Sequence, residues 1–335
     1  MKLKLSIAIP TYNQAQYLKK AILSACNQNY KPFEIVVFDD CSTDNTWQIL
    51  EELCIDVKEL KIIRQEINKG IVINKGSCLK SCTGDYVILL DSDDMLEPNF
   101  ADVLIALLEK FPKAAYAHGN VQQIDQNGNK TNVRQLFRKE TYLEANEDLK
   151  RQISGMKVAA NIIMYRKKAL VAINYFNCKV NFAEDWFMLC QLSAAGYGNV
   201  FTNKVLSSYR VWSDTGQLRQ KRKLDEINGT RLVYDEVLIP AYLERNWSIN
   251  AIIKAKSKKA ISNSDCLSFS YFTKEEKSDL KEVLLMLSDS RATKVNLFLQ
   301  TYKTHLILKF VNKLKINIRR NLKVILVNNF GKRIF

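Results

Sequence analysis

Histidine is scarce in this chain: only His118 and His305 occur among its 335 residues. A histidine-rich metal centre is therefore excluded, and any metal site would rely almost wholly on oxygen ligands. The eight cysteines form no C-x-x-C pair, and several lie in apolar or helical stretches. We therefore expect reduced thiols that behave as small hydrophobic residues in a cytoplasmic protein.

Long apolar runs are also missing. No window approaches 18 uninterrupted apolar residues, so we predict no transmembrane helix. The first residues pass directly into a strand-like run at 5–9, so we expect no secretory signal.

Acidic residues are absent from 291–335, where eleven Lys and Arg occur without any Asp or Glu. The net charge of the whole chain is +15, and the other 290 residues therefore carry only +4. Because the basic character belongs to the tail, the pI of 9.3 does not indicate a nucleic-acid-binding protein. We expect no nucleic-acid partner.

Strand and helix patterns alternate in the first hundred residues. Short runs rich in Ile and Val occupy 5–9, 33–38, 60–64 and 86–90, and stretches of helical period lie at 14–28, 44–53 and 71–81. This alternation predicts βαβ units and an α/β fold, with a mostly parallel sheet covered by helices on both faces.

The pattern changes after Pro98. We predict a helix at 99–111, a strand at 114–124, a hairpin turn at 125–129, a strand at 161–165, a helix at 184–195 ended by Gly196, and a strand at 205–212. After Asp214 the sequence pattern predicts helices to the end of the chain. The predicted division is a catalytic domain at 1–215, with halves 1–98 and 99–215, and a helical region at 216–335 with a basic tail at 303–327.

Polar residues follow three of the predicted strands. Asp91-Ser92-Asp93-Asp94 comes directly after the run at 86–90, and Asp39-Asp40 and Pro10-Thr11-Tyr12-Asn13 follow two others. In open α/β sheets, ligands bind beyond the carboxyl ends of the strands. A D-x-D spacing directs two carboxylates at one cation, and their oxygens suit Mg²⁺ or Mn²⁺. Taken singly, each group also has an explanation as a helix cap or a turn.

Seven motifs together carry a resemblance to a known family. In chain order they are Ile9-Pro10-Thr11-Tyr12-Asn13, Asp39-Asp40-Cys41-Ser42-Thr43-Asp44, Asn68-Lys69-Gly70, Gly84-Asp85-Tyr86, Leu90-Asp91-Ser92-Asp93-Asp94, Glu184-Asp185-Trp186 and Tyr209-Arg210. Their order and spacing resemble family 2 inverting glycosyltransferases, of the bacterial surface-polysaccharide type, over about residues 3 to 215. The resemblance implies the GT-A fold, a nucleotide-sugar donor that is UDP-linked, and a glycan or lipid-linked acceptor.

The resemblance also implies roles for particular residues. The donor-binding residues would be Pro10, Tyr12, Asp40, Asn68, Lys75, Asp91, Ser92 and Arg210. Asp93, with Asp91, would hold Mn²⁺ or Mg²⁺. Asp185 would be the base in a single displacement, with Glu184 orienting it or contacting the acceptor.

The chain departs from the family pattern at two positions. Trp212 stands where many relatives have a histidine that helps to hold the metal or the diphosphate, and Lys75 stands where many have an arginine. These departures leave open which residue would be the third protein ligand of the metal. They also leave open an alternative function, a non-catalytic protein that binds a nucleotide sugar or a membrane glycolipid.

Three further alternatives concern the acids and the enzyme class. Glu184 and Asp185 alone also suit the first turn of a helix. A nucleotidyltransferase is disfavoured because no early glycine-rich loop follows the first strand, and a processive synthase because neither transmembrane helices nor a Q-x-x-R-W motif are found.

The basic tail has the pattern of an amphipathic helix. Apolar residues recur every three or four positions between 306 and 327, with Lys and Arg interleaved. Such a helix can lie on an anionic membrane surface, so we expect peripheral attachment to the inner face of the plasma membrane. Packing against the preceding helices is the alternative.

Overall fold

The computed structural model describes residues 3–176, 180, 182–212 and 222–301. The chain divides into two compact units, one up to Ile252 and one from Ile253. The domain boundary predicted near 215 and the basic tail predicted at 303–327 lie outside the described residues, so both stay predictions.

The first unit is built on one ten-stranded sheet. Its strands are β1 (Leu5–Thr11), β2 (Glu34–Asp39), β3 (Leu60–Arg64), β4 (Tyr86–Leu89), β5 (Met95–Leu96), β6 (Ala114–Ile124), β7 (Lys130–Arg134), β8 (Tyr142–Leu143), β9 (Ile163–Arg166) and β10 (Gly198–Arg210).

Helices connect and cover these strands. They are α1 (Ala15–Cys26), α2 (Thr46–Asp56), α3 (Ile71–Ser81), α4 (Phe100–Lys110), α5 (Ala145–Gln152), α6 (Lys167–Ala172), α7 (Glu184–Ala194), α8 (Lys223–Leu232) and α9 (Ile239–Glu244), with a π-helical turn at Val233–Leu238.

The strands follow the order β3-β2-β1-β4-β9-β6-β10-β5. The β3-β2-β1-β4 half is parallel throughout. Beyond it, β9 runs antiparallel to both β4 and β6, whereas β10 runs parallel to β6. The predicted α/β class is confirmed, with the parallel region concentrated in the first half and a mixed region in the second.

The core lies on both faces of the sheet. All residues of β1 are buried, and successive side chains of a strand point to opposite faces. Leu5, Ile7 and Ile9 pack in a cluster with residues of α1, α2 and α4. Ala8 belongs to the opposite cluster, with residues of α3 and α7. The predicted layers of helix on either side of the sheet are therefore confirmed.

The second unit is helical within the described residues. Beyond Ile252 it contains most of α10 (Asn250–Asn263), a 3₁₀ turn at Ser264–Ser268, α11 (Lys274–Leu287) and α12 (Arg291–Thr301). Thr273 and Glu276 form a capping box that begins α11. None of the helices in the described part of the chain is long and apolar enough to cross a membrane.

Candidate active site

The loops after β1, β2 and β4 meet at one edge of the sheet because these strands are parallel and in register. Thr11 pairs with Asp39, the last residue of β2. The Asp40 amide donates to the Thr11 carbonyl at 3.0 Å, and the Leu90 amide donates to the Ala8 carbonyl at 3.0 Å. The polar motifs that follow these strands therefore face the same space.

That space is a cavity of about 550 Å³. It is lined by Pro10, Thr11, Tyr12, Gln14, Asp40, Asn68, Gly70, Ile71, Asn74, Lys75, Asp91, Ser92, Asp93 and Arg222. Every residue predicted from the sequence for the site is among them except Glu184, Asp185 and Arg210. Both acids contact Lys75, which lines the cavity, and Arg210 contacts the backbone carbonyl of Asp93, another lining residue.

Asp40 fixes the loop that leads into α3. Its Oδ1 accepts hydrogen bonds from the Lys69 amide at 2.9 Å and from Gln65 Nε2 at 3.0 Å, and its Oδ2 accepts from the Gly70 amide at 2.9 Å. Gly70 has φ 87° and ψ 161°, a region that essentially only glycine adopts. The Asn68-Lys69-Gly70 motif therefore forms a turn whose shape depends on both Asp40 and the glycine.

Lys75 lies buried on α3 among three carboxylates. Its Nζ is 3.4 Å from Glu184 Oε1, 3.4 Å from Asp185 Oδ1 and 3.6 Å from Asp91 Oδ1. Burial by itself lowers the pKa of Lys75, but the negative charges of Asp185, Asp91 and Glu184 outweigh it and hold the pKa well above its usual value. Lys75 is thus a permanent cation that joins the cavity to the acidic pair.

Glu184 and Asp185 occupy the first turn of α7. The helix begins after Ala183, which has a left-handed φ of 65°, and this conformation turns the chain sharply towards the acids. Asn161 Nδ2 donates a hydrogen bond to Asp185 Oδ2. Burial, together with the charges of Glu184 and Asp91, raises the pKa of Asp185 to about 7, although Lys75 opposes the shift. A carboxylate with this pKa is suited to take a proton near neutral pH.

Asp91 and Asp93 both line the cavity. Burial raises the pKa of Asp93, and the nearby charge of Asp91 raises it further. Two converging carboxylates whose charges disfavour each other fit a divalent cation that takes its other ligands from diphosphate oxygens and water. Within the described residues, no cluster of three or more His, Cys, Asp or Glu side chains could hold a metal by itself.

Arg210 is buried at the end of β10. Its Nε donates to the Asp93 carbonyl at 2.9 Å, and its Nη1 donates to the carbonyls of Asp125 at 2.7 Å and Gln126 at 3.1 Å. The guanidinium also lies 4.3 Å from the ring centroid of Tyr17. These contacts hold the hairpin turn and the Asp93 backbone in place.

Several residues of the site were not among those predicted from the sequence. Gln14, Asn74 and Arg222 line the cavity, and Asn161 contacts Asp185. Asn74 also donates to the carbonyls of Thr11 and Phe38. An asparagine in a helical pattern, or one at the start of a predicted strand, carries no signal that could have indicated these contacts.

The fold is that of the GT-A glycosyltransferases. TarS 1–349 of S. aureus in complex with UDP matches with a TM-score of 0.58 at 20% identity, over 91% of this chain and 92% of that one. The mannosyltransferase PcManGT from Pyrobaculum calidifontis, in complex with GDP-Man and Mn²⁺, matches with a TM-score of 0.53 at 15% identity, over 92% of this chain and 87% of that one.

The chain belongs to glycosyl transferase family 2, whose model matches residues 6–173. The family predicted from the motifs, and with it the glycosyltransferase class, is confirmed.

Bacterial relatives of this family share 29–32% of aligned residues with the chain. An uncharacterized glycosyltransferase of Haemophilus influenzae is 30% identical over 208 residues, which cover 62% of this chain and 79% of the relative. Chondroitin synthase of Escherichia coli is 29% identical over 191 residues, which cover 57% of this chain and 26% of the synthase. GalNAc(5)-diNAcBac-PP-undecaprenol beta-1,3-glucosyltransferase of Campylobacter jejuni is 32% identical over 177 residues, which cover 52% of this chain and 55% of the glucosyltransferase. The chain thus spans about a quarter of the chondroitin synthase and about half of the glucosyltransferase.

Proposed function

We propose that the protein is an inverting glycosyltransferase whose nucleoside diphosphate sugar binds in the cavity at the carboxyl edge of the sheet. The observation that carries this proposal is the convergence of Asp91 and Asp93 with Lys75, which in turn contacts the buried Asp185. A cavity of about 550 Å³ has the size of a small-molecule site. A UDP-linked hexose or N-acetylhexosamine is the favoured donor, since solved TarS structures contain UDP and UDP-GlcNAc.

Residues at the mouth of the cavity suit the nucleoside. Tyr12 is 43% exposed, so its ring is accessible to stack on a base beside Pro10. Asp40 already accepts three hydrogen bonds, but two carboxylate oxygens offer about four acceptor positions. It therefore retains capacity to accept from a uracil N–H or a ribose hydroxyl, with Asn68 and Ser92 nearby on the cavity wall.

Asp91 and Asp93 are the residues that would hold Mn²⁺ or Mg²⁺. When bound there, the cation would stabilise the negative charge that develops on the leaving diphosphate. Lys75 adds a fixed positive charge at the same wall of the cavity. Arg210 fixes the position of Asp93 through the backbone, so its contribution to donor binding is indirect.

The transfer step needs one base and no covalent enzyme intermediate. Asp185 accepts the proton of the acceptor hydroxyl, the hydroxyl oxygen forms a bond to the anomeric carbon, and the bond from that carbon to the diphosphate oxygen breaks. Attack opposite the leaving group inverts the anomeric configuration. Glu184, beside Asp185 and bound to Lys75, orients the base or contacts the acceptor.

The acceptor in this proposal is a glycan, free or attached to a lipid. The name of the C. jejuni relative includes a glycan linked to PP-undecaprenol, which supports a lipid-linked acceptor. Attachment to an anionic membrane through the basic segment at 303–327 is part of the same proposal. It predicts that the chain ended after Leu299 no longer pellets with anionic vesicles as the full chain does.

Release of UDP from UDP-linked hexoses and N-acetylhexosamines, measured with Mn²⁺, tests the proposed reaction. We expect release by the wild type and by Asp56→Ala, an exposed acid at the end of α2. Asp185→Asn and Asp93→Ala should each lower the rate at least about a hundredfold. Equal rates in all four proteins would overturn the assignment, and UDP binding without release would favour the non-catalytic alternative.

A further inference from the structure

Three hydrogen bonds join the end of β10 to the Asp91-Ser92-Asp93-Asp94 turn. The Arg210 amide donates to Asp94 Oδ1 at 2.7 Å, Arg210 Nε donates to the Asp93 carbonyl at 2.9 Å, and Trp212 Nε1 donates to Asp93 Oδ2 at 2.9 Å. Residues two apart in an extended segment point to the same side. Arg210 and Trp212 therefore reach the same turn, one holding the Asp93 backbone and the other its carboxylate.

The Trp212 ring is itself held in place by α1. Its centroid lies 5.2 Å from that of Tyr17, with the two rings at 89°, which is the preferred edge-to-face arrangement. The Arg210 guanidinium lies over the same Tyr17 ring, 4.3 Å from its centroid. One buried aromatic ring thus supports both residues that bind Asp93.

We infer that Trp212 is a positioning residue for Asp93: its indole N–H occupies one carboxylate oxygen, so that the other oxygen is aimed at the cation site. The inference rests on the proposed metal-binding role of Asp93. An indole N–H is a donor only and has no lone pair for a cation. Trp212 therefore acts on the site through Asp93 and not as a ligand.

Loss of a hydrogen bond that orients a metal ligand typically weakens metal affinity 10- to 100-fold. Mn²⁺ affinity in the presence of UDP, measured by calorimetry, is therefore a direct readout that needs no turnover. We expect Trp212→Phe to bind Mn²⁺ about tenfold more weakly.

Trp47→Phe is the matched control, because Trp47 donates the same kind of bond to Glu51 Oε1 at 2.7 Å on α2, away from the cavity lining. Its Mn²⁺ affinity should equal that of the wild type. Wild-type affinity in Trp212→Phe, or equal losses in both variants, would overturn the positioning role alone. Absence of Mn²⁺ binding by the wild type would instead refute the proposed metal site, and the inference with it.

A second measurement uses a protein that keeps Trp212. The chain has four tryptophans, so replacing Trp47, Trp186 and Trp247 with Phe one at a time assigns their indole N–H resonances and leaves the fourth as that of Trp212. With UDP and a trace of Mn²⁺, this resonance should broaden, because its N–H contacts a carboxylate of the cation site, whereas the Trp47 resonance should stay sharp. A Trp212 resonance that stays sharp in the same UDP and Mn²⁺ titration would overturn the inference even if Trp212→Phe failed to fold.

Discussion

Lys75 Nζ and Asp185 Oδ1 lie 3.4 Å apart, and both side chains are buried. The lysine belongs to α3, on the wall of the candidate donor cavity, and the aspartate begins α7. This ion pair therefore links the two parts of the proposed reaction, the site of the leaving diphosphate and the base that activates the acceptor.

Replacing Lys75 with Met should remove both stability and activity. The change leaves the buried carboxylates of Glu184 and Asp185, and the partly exposed carboxylate of Asp91, without their shared cation. Breaking a buried pair in this way costs about 3–5 kcal/mol. Urea unfolding measures the loss. Lys80→Met, at an exposed position on the same helix, should change the free energy of unfolding little. Equal stability of the two variants would show that the carboxylates do not need Lys75.

The turnover rate should rise with pH through about 7, the pKa to which burial and the neighbouring acids raise Asp185. The base acts only when ionised, so protonation below that pH stops transfer. In Glu184→Gln a negative neighbour is lost, the ionised form of Asp185 is less disfavoured, and the profile should move to lower pH. The measurement is kcat against pH for both proteins, and an unmoved or alkaline-shifted profile would contradict Asp185 as the base.

Gly70→Ala should weaken nucleotide binding as well as stability. At φ 87° and ψ 161° an alanine is strained by about 1–3 kcal/mol, and the turn that supplies two amides to Asp40 would shift. Gly196→Ala is the control, since Gly196 has φ 87° but follows the far end of α7. Both variants should melt earlier in thermal unfolding, whereas only Gly70→Ala should lose UDP affinity. Unchanged UDP affinity in Gly70→Ala would show that this turn does not contribute to donor binding.

Gly229→Ala tests whether α8 positions the acidic pair. A Cβ at Gly229 would lie 2.1 Å from the Phe182 carbonyl oxygen, so the helix or the backbone leading to Ala183 and Glu184 must move. A shift of about 1 Å at a reacting group costs up to a hundredfold in rate. We expect turnover at least about tenfold lower with UDP affinity unchanged. Thr230→Ala is the control for a substitution at the adjacent position of the same helix, where no Cβ is added. Wild-type turnover in Gly229→Ala would refute the coupling.

Much of the fold could be predicted because its elements are long and strongly patterned. The helix predicted at 71–81 and the strand predicted at 114–124 coincide with α3 and β6. The two-residue strands β5 and β8 are too short to show any period, and α5 has few apolar residues. The first half of β10 was missed because its sequence, Gly198 to Lys204, mixes Gly, Asn and Lys with apolar residues.

The site residues could be predicted where the family motifs mark them. Asp91 and Asp93 belong to such a motif and lie together in the cavity. Asn161 and Arg222 belong to none, and their positions depend on how distant segments pack. The contacts of Lys75 with three carboxylates also required the structure, since 109 residues separate it from Glu184.

Binding of nucleotides to the wild type is the most direct test of the donor site. Melting temperatures should be recorded with UDP, GDP, ADP and UDP-sugars, with and without Mn²⁺, because a ligand that binds only the folded state raises the melting temperature. We predict a rise with UDP that needs Mn²⁺, is lost in Asp93→Ala and persists in Asp56→Ala. If no nucleotide raised the melting temperature, with or without the metal, the cavity would not be the site of a nucleotide-sugar donor.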